Sequence, residues 1–486
     1  MSTQNEAACS FEQELTDKVN ELESQRKERE GQMVEIVLKV IADRVVSKEQ
    51  DIMALMSGNK SWQQGVREVV VKEILRSADD NLWCPEYVEK LKSDQLVNVF
   101  TGTHWDRVEQ QLWKDFVNLC AEKCGVPESQ RMIPSFMKAL YEGVAFNLAK
   151  NRKQRIPDDE VWLNMANGTL VVCQDGNITL REHRKEDLFF YTLNYVYDSM
   201  AECPLWHQFL GRVLPEAESQ QVLAEFIGYC LMKGHDLEKM LWFYGEGLNG
   251  KSVTLEIIEA LLGSSNVSFL SLCDLTNDDV KRAGIEHKML NISHESGKEV
   301  NANVLKQLTS GERVLIKHLY LDPRETNDYG KFIAAFNVLP RAEITFGYFR
   351  RLIILPYLVT IPAEEIDRQL TSKLKQELSG ILNWVLEALP DLMQRGEFTV
   401  SDKCEKALDQ YRLQSDNVRL FVNDQCETSE MTTIASEIYA AYRNYCFCSS
   451  LKPIGKQKFY ERLEGLGYER VTYANTVYFK LRVNVE

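Results

Sequence analysis

The chain has 486 residues, long enough that about two to four folded units are expected rather than one core. With 44% hydrophobic and 27% charged residues it reads as an ordinary globular protein without disordered bulk. A net charge of −15 argues against indiscriminate coating of nucleic acid, since affinity for phosphate comes from lysine and arginine; a few basic groups in a channel remain compatible with it.

The amino terminus, MSTQNEAACSFEQELTDK, lacks the basic-then-apolar layout of a secretion signal. No stretch approaches the roughly 18 uninterrupted apolar residues of a membrane span. Twelve scattered cysteines fit reduced thiols in a cytoplasm better than a disulfide framework.

Residues 1–94 are expected to be a helical region, because the first proline is Pro85 and glycines before it are few. Phe11, Leu15, Val19 and Leu22 form a helical stripe over too few heptads for a coiled coil. It suits either an amphipathic helix on its own domain or an oligomerisation collar. Residues 96–108 read as a small hairpin turning at Gly102, followed by helix to about residue 150. Cys120 and Cys124 lie four residues apart on that helix and, without a second pair, read as core. Between 160 and 210, VWLNMANGTLVV and FFYTLNYVYD read as short strands, with turns at Asn167-Gly168 and Asp175-Gly176. VLAEFIGYCLM (222–232) reads as an apolar helix.

The densest signal is LWFYGEGLNGKSV at 241–253. Gly245, Glu246, Gly247, Leu248, Asn249, Gly250, Lys251 and Ser252 match the phosphate-binding loop pattern G-x-x-x-x-G-K-[ST], between an apolar strand and a helix that starts with Val253. Glycines let successive amides face an anion at a helix N-terminus. Lys251 is expected to reach the β- and γ-phosphates of ATP, and Ser252 to put its hydroxyl on Mg²⁺. Apolar runs at 241–244, 267–270, 288–293, 331–336 and 351–356 alternate with helical stretches, which predicts an α/β nucleotide-binding sheet.

Triphosphate hydrolysis needs a carboxylate at the end of a neighbouring strand to orient metal and water. Glu295, ending MLNISHE about 45 residues beyond the loop, is the candidate for both catalysis and metal. Asn337 ends KFIAAFN and can hydrogen-bond the γ-phosphate or attacking water. Arg350 and Arg351 precede RLIILP; an arginine from a neighbouring subunit can neutralise charge on the transferring phosphoryl group. Residues 364–395 read as helix, and 399–425 as a charged helical connector.

The last segment, 426–486, has the order helix, basic helix, hairpin, which is the winged-helix form of a helix-turn-helix. Over 451–486 seven Lys/Arg face four Glu, a net +3 in an acidic chain. Lys456, Lys458 and Arg462 on the second helix suit phosphate contacts on DNA, and a protein-contact role for this unit stays open.

Four ordered elements, GEGLNGKS, LNISHE, KFIAAFN-x-LP and FRRLIILPY, together resemble superfamily 3 helicases, specifically the helicase half of phage and plasmid primase–helicases related to the poxvirus type. The similarity continues upstream through ANGTLVV, YTLNYVYD, AECPLWHQFL and FIGYCL, and covers about residues 95–486. The resemblance implies an AAA+-like α/β nucleotide-binding domain at 236–398, a helicase-associated domain at 95–235 and a C-terminal winged helix. It implies a ring, usually a hexamer, with ATP at subunit interfaces and DNA in the channel. Gly245, Gly247, Asn249, Gly250, Lys251 and Ser252 would then bind nucleotide, Glu295 would be the catalytic acid, Asn337 the sensor, and Arg350 or Arg351 the finger. The hairpin SGERVLIKHLYLDP (310–323) would enter the channel, with Lys317 and His318 facing phosphate.

His294 departs from the acidic pair many such sites carry; neutral imidazole is a poor Mg²⁺ ligand. A primase is not expected, because the first 95 residues are too short for one and lack clustered aspartates. The expected activity is that of an ATP-driven DNA helicase in replication of a phage, prophage or mobile element, working with other replication proteins in the cytoplasm. The alternative is a DNA-binding initiator or recruiting ATPase, in replication, packaging or antiviral work, with little translocation.

Overall fold

The computed structural model describes residues 32–58, 62–77, 83–85, 97–148, 156–294, 300–319, 322–340, 346–449, 451 and 453–483. The stripe Phe11, Leu15, Val19 and Leu22 therefore lies outside the described residues, as does Glu295. The chain divides into two compact units, Met1–Asp198 and Ser199–Glu486, a boundary inside the segment 95–235 expected to be one domain.

In the first unit, residues 32–43 are helical and pack with the helices Glu49–Gly58, Trp62–Ser77, Gln110–Cys124 and Pro134–Leu148. Their apolar stripes meet in one core that includes Ile41, Ile52, Val66, Val70, Phe116, Val117, Phe136, Leu140 and Val144. Cys120 and Cys124, one helical turn apart, both point into it and are fully buried. Burial pushes both thiols up, Cys124 to about 12, so neither is a ready thiolate. Val97–Phe100 and Trp105–Arg107 pair antiparallel across the Gly102 turn. A three-stranded antiparallel meander follows: Glu160–Met165, Gly168–Cys173 and Ile178–Arg181.

FFYTLNYVYD (189–198) is not the strand its β-rich composition predicts; it makes a single bridge, Met165 with Leu193. Two backbone hydrogen bonds tie it to the adjoining segment, Leu193 N to the Asn164 carbonyl (2.8 Å) and Ala166 N to the Tyr195 carbonyl (3.2 Å), and side-chain amides add to them. Asn164 Nδ2 donates to the Tyr191 carbonyl (2.7 Å) and Asn167 Nδ2 to the Tyr197 carbonyl (2.9 Å).

The second unit is built on a five-stranded parallel sheet: β1 Met240–Tyr244, β2 Val267–Ser268, β3 Leu290–His294, β4 Lys331–Phe336 and β5 Leu352–Pro356, in the spatial order 5-1-4-3-2. All six residues of β4 are buried, and so are Met240–Phe243 of β1. Continuous apolar runs, rather than alternating ones, are what a parallel sheet covered on both faces requires. Helices α1 (Pro204–Val213), α2 (Ala217–Leu231), α3 (Lys251–Leu262), α4 (Ala302–Thr309) and α5 (Leu378–Arg395) surround it. α2 lies against α5, and its fully buried Glu225 is satisfied by Arg395 Nη2 (2.7 Å), Thr399 N (2.7 Å) and Thr399 Oγ1 (2.6 Å). Between β3 and β4 a short hairpin, Val314–Ile316 with Arg324–Thr326, carries the expected channel segment.

The segment 399–425, read as a charged helical connector, is helical, and its two helices belong to different cores. α6 (Asp402–Ser415) packs on β5 and inserts Tyr411 beside Trp242 and Phe349. α7 (Asn417–Gln425) gives Val418, Phe421 and Val422 to the C-terminal core. The break falls at Asp416, whose Oδ1 accepts from Arg419 N (3.1 Å) as the cap of α7.

Beyond it, α8 (Ala435–Cys448) and α9 (Lys456–Gly465) pack with α7 on a three-stranded antiparallel sheet. This sheet comprises β6 (Cys426–Ile434), β7 (Arg470–Tyr473) and β8 (Thr476–Val483), with β8 central. The β7–β8 turn places Ala474 and Asn475 at φ +47° and +60°, the conformation of a two-residue hairpin turn. β6 has no alternating apolar pattern and is a strand because β8 pairs with it.

Asp416 is buried and its second oxygen takes Arg462 Nε (2.8 Å) of α9. Asp416→Ala should therefore lose both a helix cap and an ion pair that is partly screened on its arginine side. The expected cost is about 1–3 kcal/mol, read by urea unfolding, with faster amide exchange in α7 and α9. Unchanged exchange in those two helices would contradict this role.

Candidate phosphate-binding site

The loop Gly245–Ser252 leaves the C-terminal end of β1 and delivers the chain into α3. Two glycines are required by space as much as by backbone angle. A Cβ on Gly245 would stand 2.1 Å from the Tyr357 carbonyl oxygen. One on Gly250, at φ +88°, would stand 2.8 Å from Val213 Cγ1 and 3.0 Å from Phe209 Cζ of α1. Leu248 holds φ +59°, so the loop curls without a glycine there. Glu246, Gly247, Leu248 and Ser252 are exposed and Val253 is half-buried, whereas Asn249 and Lys251 are buried.

Asn249 is the internal tie of the loop. Its Nδ2 donates to the Tyr357 carbonyl (3.1 Å) and to the Glu246 carbonyl, while its Oδ1 accepts from Lys251 Nζ (3.2 Å). The chain leaving β5 closes the other side: Tyr357 N donates to Tyr244 O (2.7 Å) and Ile361 N to Leu248 O (2.7 Å). The buried Tyr357 hydroxyl donates to Thr254 Oγ1 on α3 (3.2 Å), and burial holds that phenol well above its ordinary range.

Lys251 Nζ donates to the Gly245 carbonyl (2.5 Å), the Glu246 carbonyl (3.2 Å) and Asn337 Oδ1 (3.2 Å). The loop lysine and the amide at the end of β4, 86 positions apart in sequence, are thus in contact. The registers explain why: Tyr244 lies opposite Phe336 and Ala335 opposite His294, so β1, β4 and β3 end along one edge. His294 is exposed on that edge. The N-terminus of α3 starts at Lys251 on the same edge, and a helix N-terminus is a place that favours an anion.

Arg350 and Arg351 lie elsewhere. They precede β5, whose Leu352 is level with Met240 at the start of β1. The β1 strand between the two edges is about 13 Å long at about 3.3 Å per residue, so both arginines occupy the rim opposite their own loop. Arg350 is bound to Glu238; Arg351 is held by Ser310 Oγ and the Gly347 carbonyl (2.6 Å).

The residues expected to face DNA differ in freedom. Lys317 is exposed beyond Ile316. His318 Nε2 lies 3.0 Å from Glu286 Oε2, a carboxylate shared with Arg324. Lys456 and Lys458 are exposed on α9, with Lys456 beside the Tyr460 ring, whereas Arg462 is committed to Asp416. Tyr357 and Glu238 carry no motif of their own; only their contacts identify them.

Gly245→Ala should force the Tyr357 carbonyl and Asn249 apart. We expect a loss of about 1–3 kcal/mol, read as a lowered unfolding midpoint, against a near-neutral change for exposed Gly247→Ala.

Two family descriptions match parts of the chain. "D5 N terminal like" covers residues 83–215, and "Family of unknown function (DUF5906)" covers residues 243–351, the span from the loop strand to the arginine pair. A protein named "Putative helicase 121R", from Invertebrate iridescent virus 3, is 23% identical over 353 residues. That alignment takes in 61% of this chain, which spans 37% of the relative's length. Among solved structures, the apo C-terminal region of NrS-1 (305–718) superposes with a TM-score of 0.47 at 9% identity, over 83% of this chain and 99% of that one. A second crystal form of that region gives 0.43 at 10% identity, over 83% and 96%.

Proposed function

We propose that the chain is an ATP-driven DNA helicase of the superfamily 3 type, with an AAA+-like core that works as a ring. The observation that carries this reading is the contact between Lys251 and Asn337. A loop lysine and a strand-end amide share one edge of a 5-1-4-3-2 parallel sheet, with two arginines on the opposite rim. The match to the D5 N-terminal description and the relative named a helicase support the same reading.

The loop suits a triphosphate because Gly245 and Gly250 let the backbone close tightly where a side chain would collide, and its lysine is buried within the curl. Lys251 would exchange the Gly245 and Glu246 carbonyls for phosphate oxygens, a stronger, charge-assisted set of acceptors. Glu246, Leu248 and Val253 would line the bound nucleotide. Ser252, exposed in the first turn of α3, and Glu295 would hold Mg²⁺ together with phosphate and water; the ion supplies charge neutralisation on the phosphoryl group. Glu295 would orient the attacking water, and Asn337 would sense the γ-phosphate from its place beside Lys251. Arg350 and Arg351 stand a strand's length from their own loop, so one of them would act as the finger at a neighbour's site. That placement supports an oligomer, and a ring of about six is the closed form the resemblance favours.

DNA would run past the hairpin, where Lys317 is free to meet phosphate and His318 would first leave Glu286. The C-terminal unit has the element order of a winged helix, and Lys456 and Lys458 give it an exposed basic face. Arg462 would serve this face indirectly, by fixing α9 through Asp416.

The test is strand separation on a forked duplex with ATP, alongside hydrolysis. Lys251→Ala should abolish both, and Glu295→Gln should stop turnover by about 10³-fold while leaving nucleotide bound. Mixing a Lys251→Ala chain with an Arg350→Ala/Arg351→Ala chain should restore part of the turnover that each lacks alone. No recovery at any ratio would refute a shared site. Vigorous hydrolysis without unwinding would favour an initiator or recruiting ATPase. DNA affinity should fall steeply between 50 and 200 mM salt, as phosphate contacts require.

A further inference from the structure

The two neighbouring arginines are held in different ways. Arg351 is 12% exposed: Nε and Nη2 donate to Ser310 Oγ (3.0 and 2.7 Å), Nη1 donates to the Gly347 carbonyl, and its own carbonyl accepts from Met240 N (2.8 Å). It joins α4, the turn before β5 and the start of β1. Arg350 is 44% exposed and its guanidinium is paired with Glu238. The Arg350 carbonyl accepts from Lys239 Nζ (2.6 Å), which keeps the backbone in place while the side chain is free to turn.

Glu238 sits in the turn before β1 at φ +47°, a left-handed conformation that a non-glycine residue rarely adopts. That turn, closed by Glu238 N donating to the His235 carbonyl (2.8 Å), aims the carboxylate at both arginines, 3.4 Å from Arg351. The surroundings are otherwise rich in cations. Burial, then Arg350 and Arg412, lower the proton affinity of Lys239. Arg412 has Asp409 (2.9 Å), and Glu312 lies near Arg351. Among the described residues, Glu238 is the carboxylate paired with Arg350.

We propose that Glu238 is a positioning residue that latches Arg350 within its own subunit, and that Arg350, rather than Arg351, swings to a triphosphate across the subunit boundary when the latch opens. This rests on the reading of the chain as a shared-site ATPase. A part-exposed carboxylate carries one charge, whereas a triphosphate offers several oxygens and more negative charge, so the guanidinium transfers when a neighbour brings nucleotide within reach. Until then the latch keeps Arg350 neutralised and turned inward. Arg351 stays behind as the anchor of the rim.

The experiment measures steady-state ATP hydrolysis by the full chain against protein concentration, with binding of a fluorescent ATP analogue measured in parallel. Glu238→Gln removes the charge and keeps the size. Its turnover should rise several-fold, most at low protein concentration, with little change in analogue affinity. Glu238→Asp should return turnover toward wild type. Arg350→Ala should lose about 10³-fold in turnover, and adding Glu238→Gln to it should change nothing further. Arg351→Lys should lower the unfolding midpoint, because it removes the donors to Ser310 and Gly347. The latch is overturned if Glu238→Gln and Glu238→Asp both hydrolyse as wild type does, or if Glu238→Gln still raises turnover without Arg350. Should Glu238→Gln fail to fold, Glu238→Ser takes its place under the same criteria. Failure of the wild-type chain to bind the analogue would sink the ATPase reading and the latch together. Intact binding with turnover lost in Arg350→Ala but indifferent to Glu238 would remove the latch alone.

Discussion

The exit of β5 is sewn to the glycine loop that follows β1, and the rest of the site depends on that seam. The Tyr357 carbonyl takes the Asn249 amide, Asn249 in turn holds Lys251, and Gly245 has no side chain because that carbonyl stands where one would go. A buried backbone acceptor cannot be left without a donor cheaply, so the loop has little freedom to relax away from β5. The curl that turns amides toward an anion is therefore a property of two strands, not of eight consecutive residues.

A parallel sheet gives this arrangement its polarity. All five strands run the same way, so every strand end lies on one edge and every strand start on the other. Lys251, Asn337 and His294 share the first edge; Glu238, Lys239, Arg350 and Arg351 share the second. Helix-covered faces make β1, β4 and β5 largely apolar, while β3 carries buried Asn291 and Ser293 that are hydrogen-bonded to each other and to the chain around Leu270. The fold thus holds Arg350 and Arg351 a strand's length from Lys251 and Asn337 of the same chain.

Buried charges outside the site follow a related economy of place. Glu225, Asp416 and Lys331 are each buried and each has a partner: Arg395 and Thr399, Arg462, and the Tyr229 ring with the Met232 carbonyl. Burial lowers the Lys331 amine to about 8, which marks how little water reaches the start of β4. These pairs join elements distant in sequence, and Asp416 does so at the point where α6 passes to α7. Arg462 shows the consequence for function, since a residue that looks basic and free in the sequence is consumed in holding a helix.

Much of the site was legible before any coordinates. The loop was readable because glycine, lysine and serine at fixed spacing answer to local geometry, and the five apolar runs because a doubly covered strand leaves a continuous signature. The terminal hairpin was readable from its turn residues. The helices of 399–425 were legible but the cores they enter were not, because charge on one face hid the spacing of Leu408 and Tyr411 on the other, and β6 was invisible because an edge strand takes its identity from its neighbour. FFYTLNYVYD failed in the opposite sense: its β-rich residues meet the strand Glu160–Met165 at a single bridge, and amide side chains take up other backbone groups. Local chemistry, written in neighbouring residues, set the glycine-rich loop and its lysine between strand and helix. Strand order and register, which couple residues about a hundred positions apart through burial and hydrogen bonds, decided that Lys251 meets Asn337, that Tyr357 shapes the loop, and that Arg350 faces away from it toward Glu238.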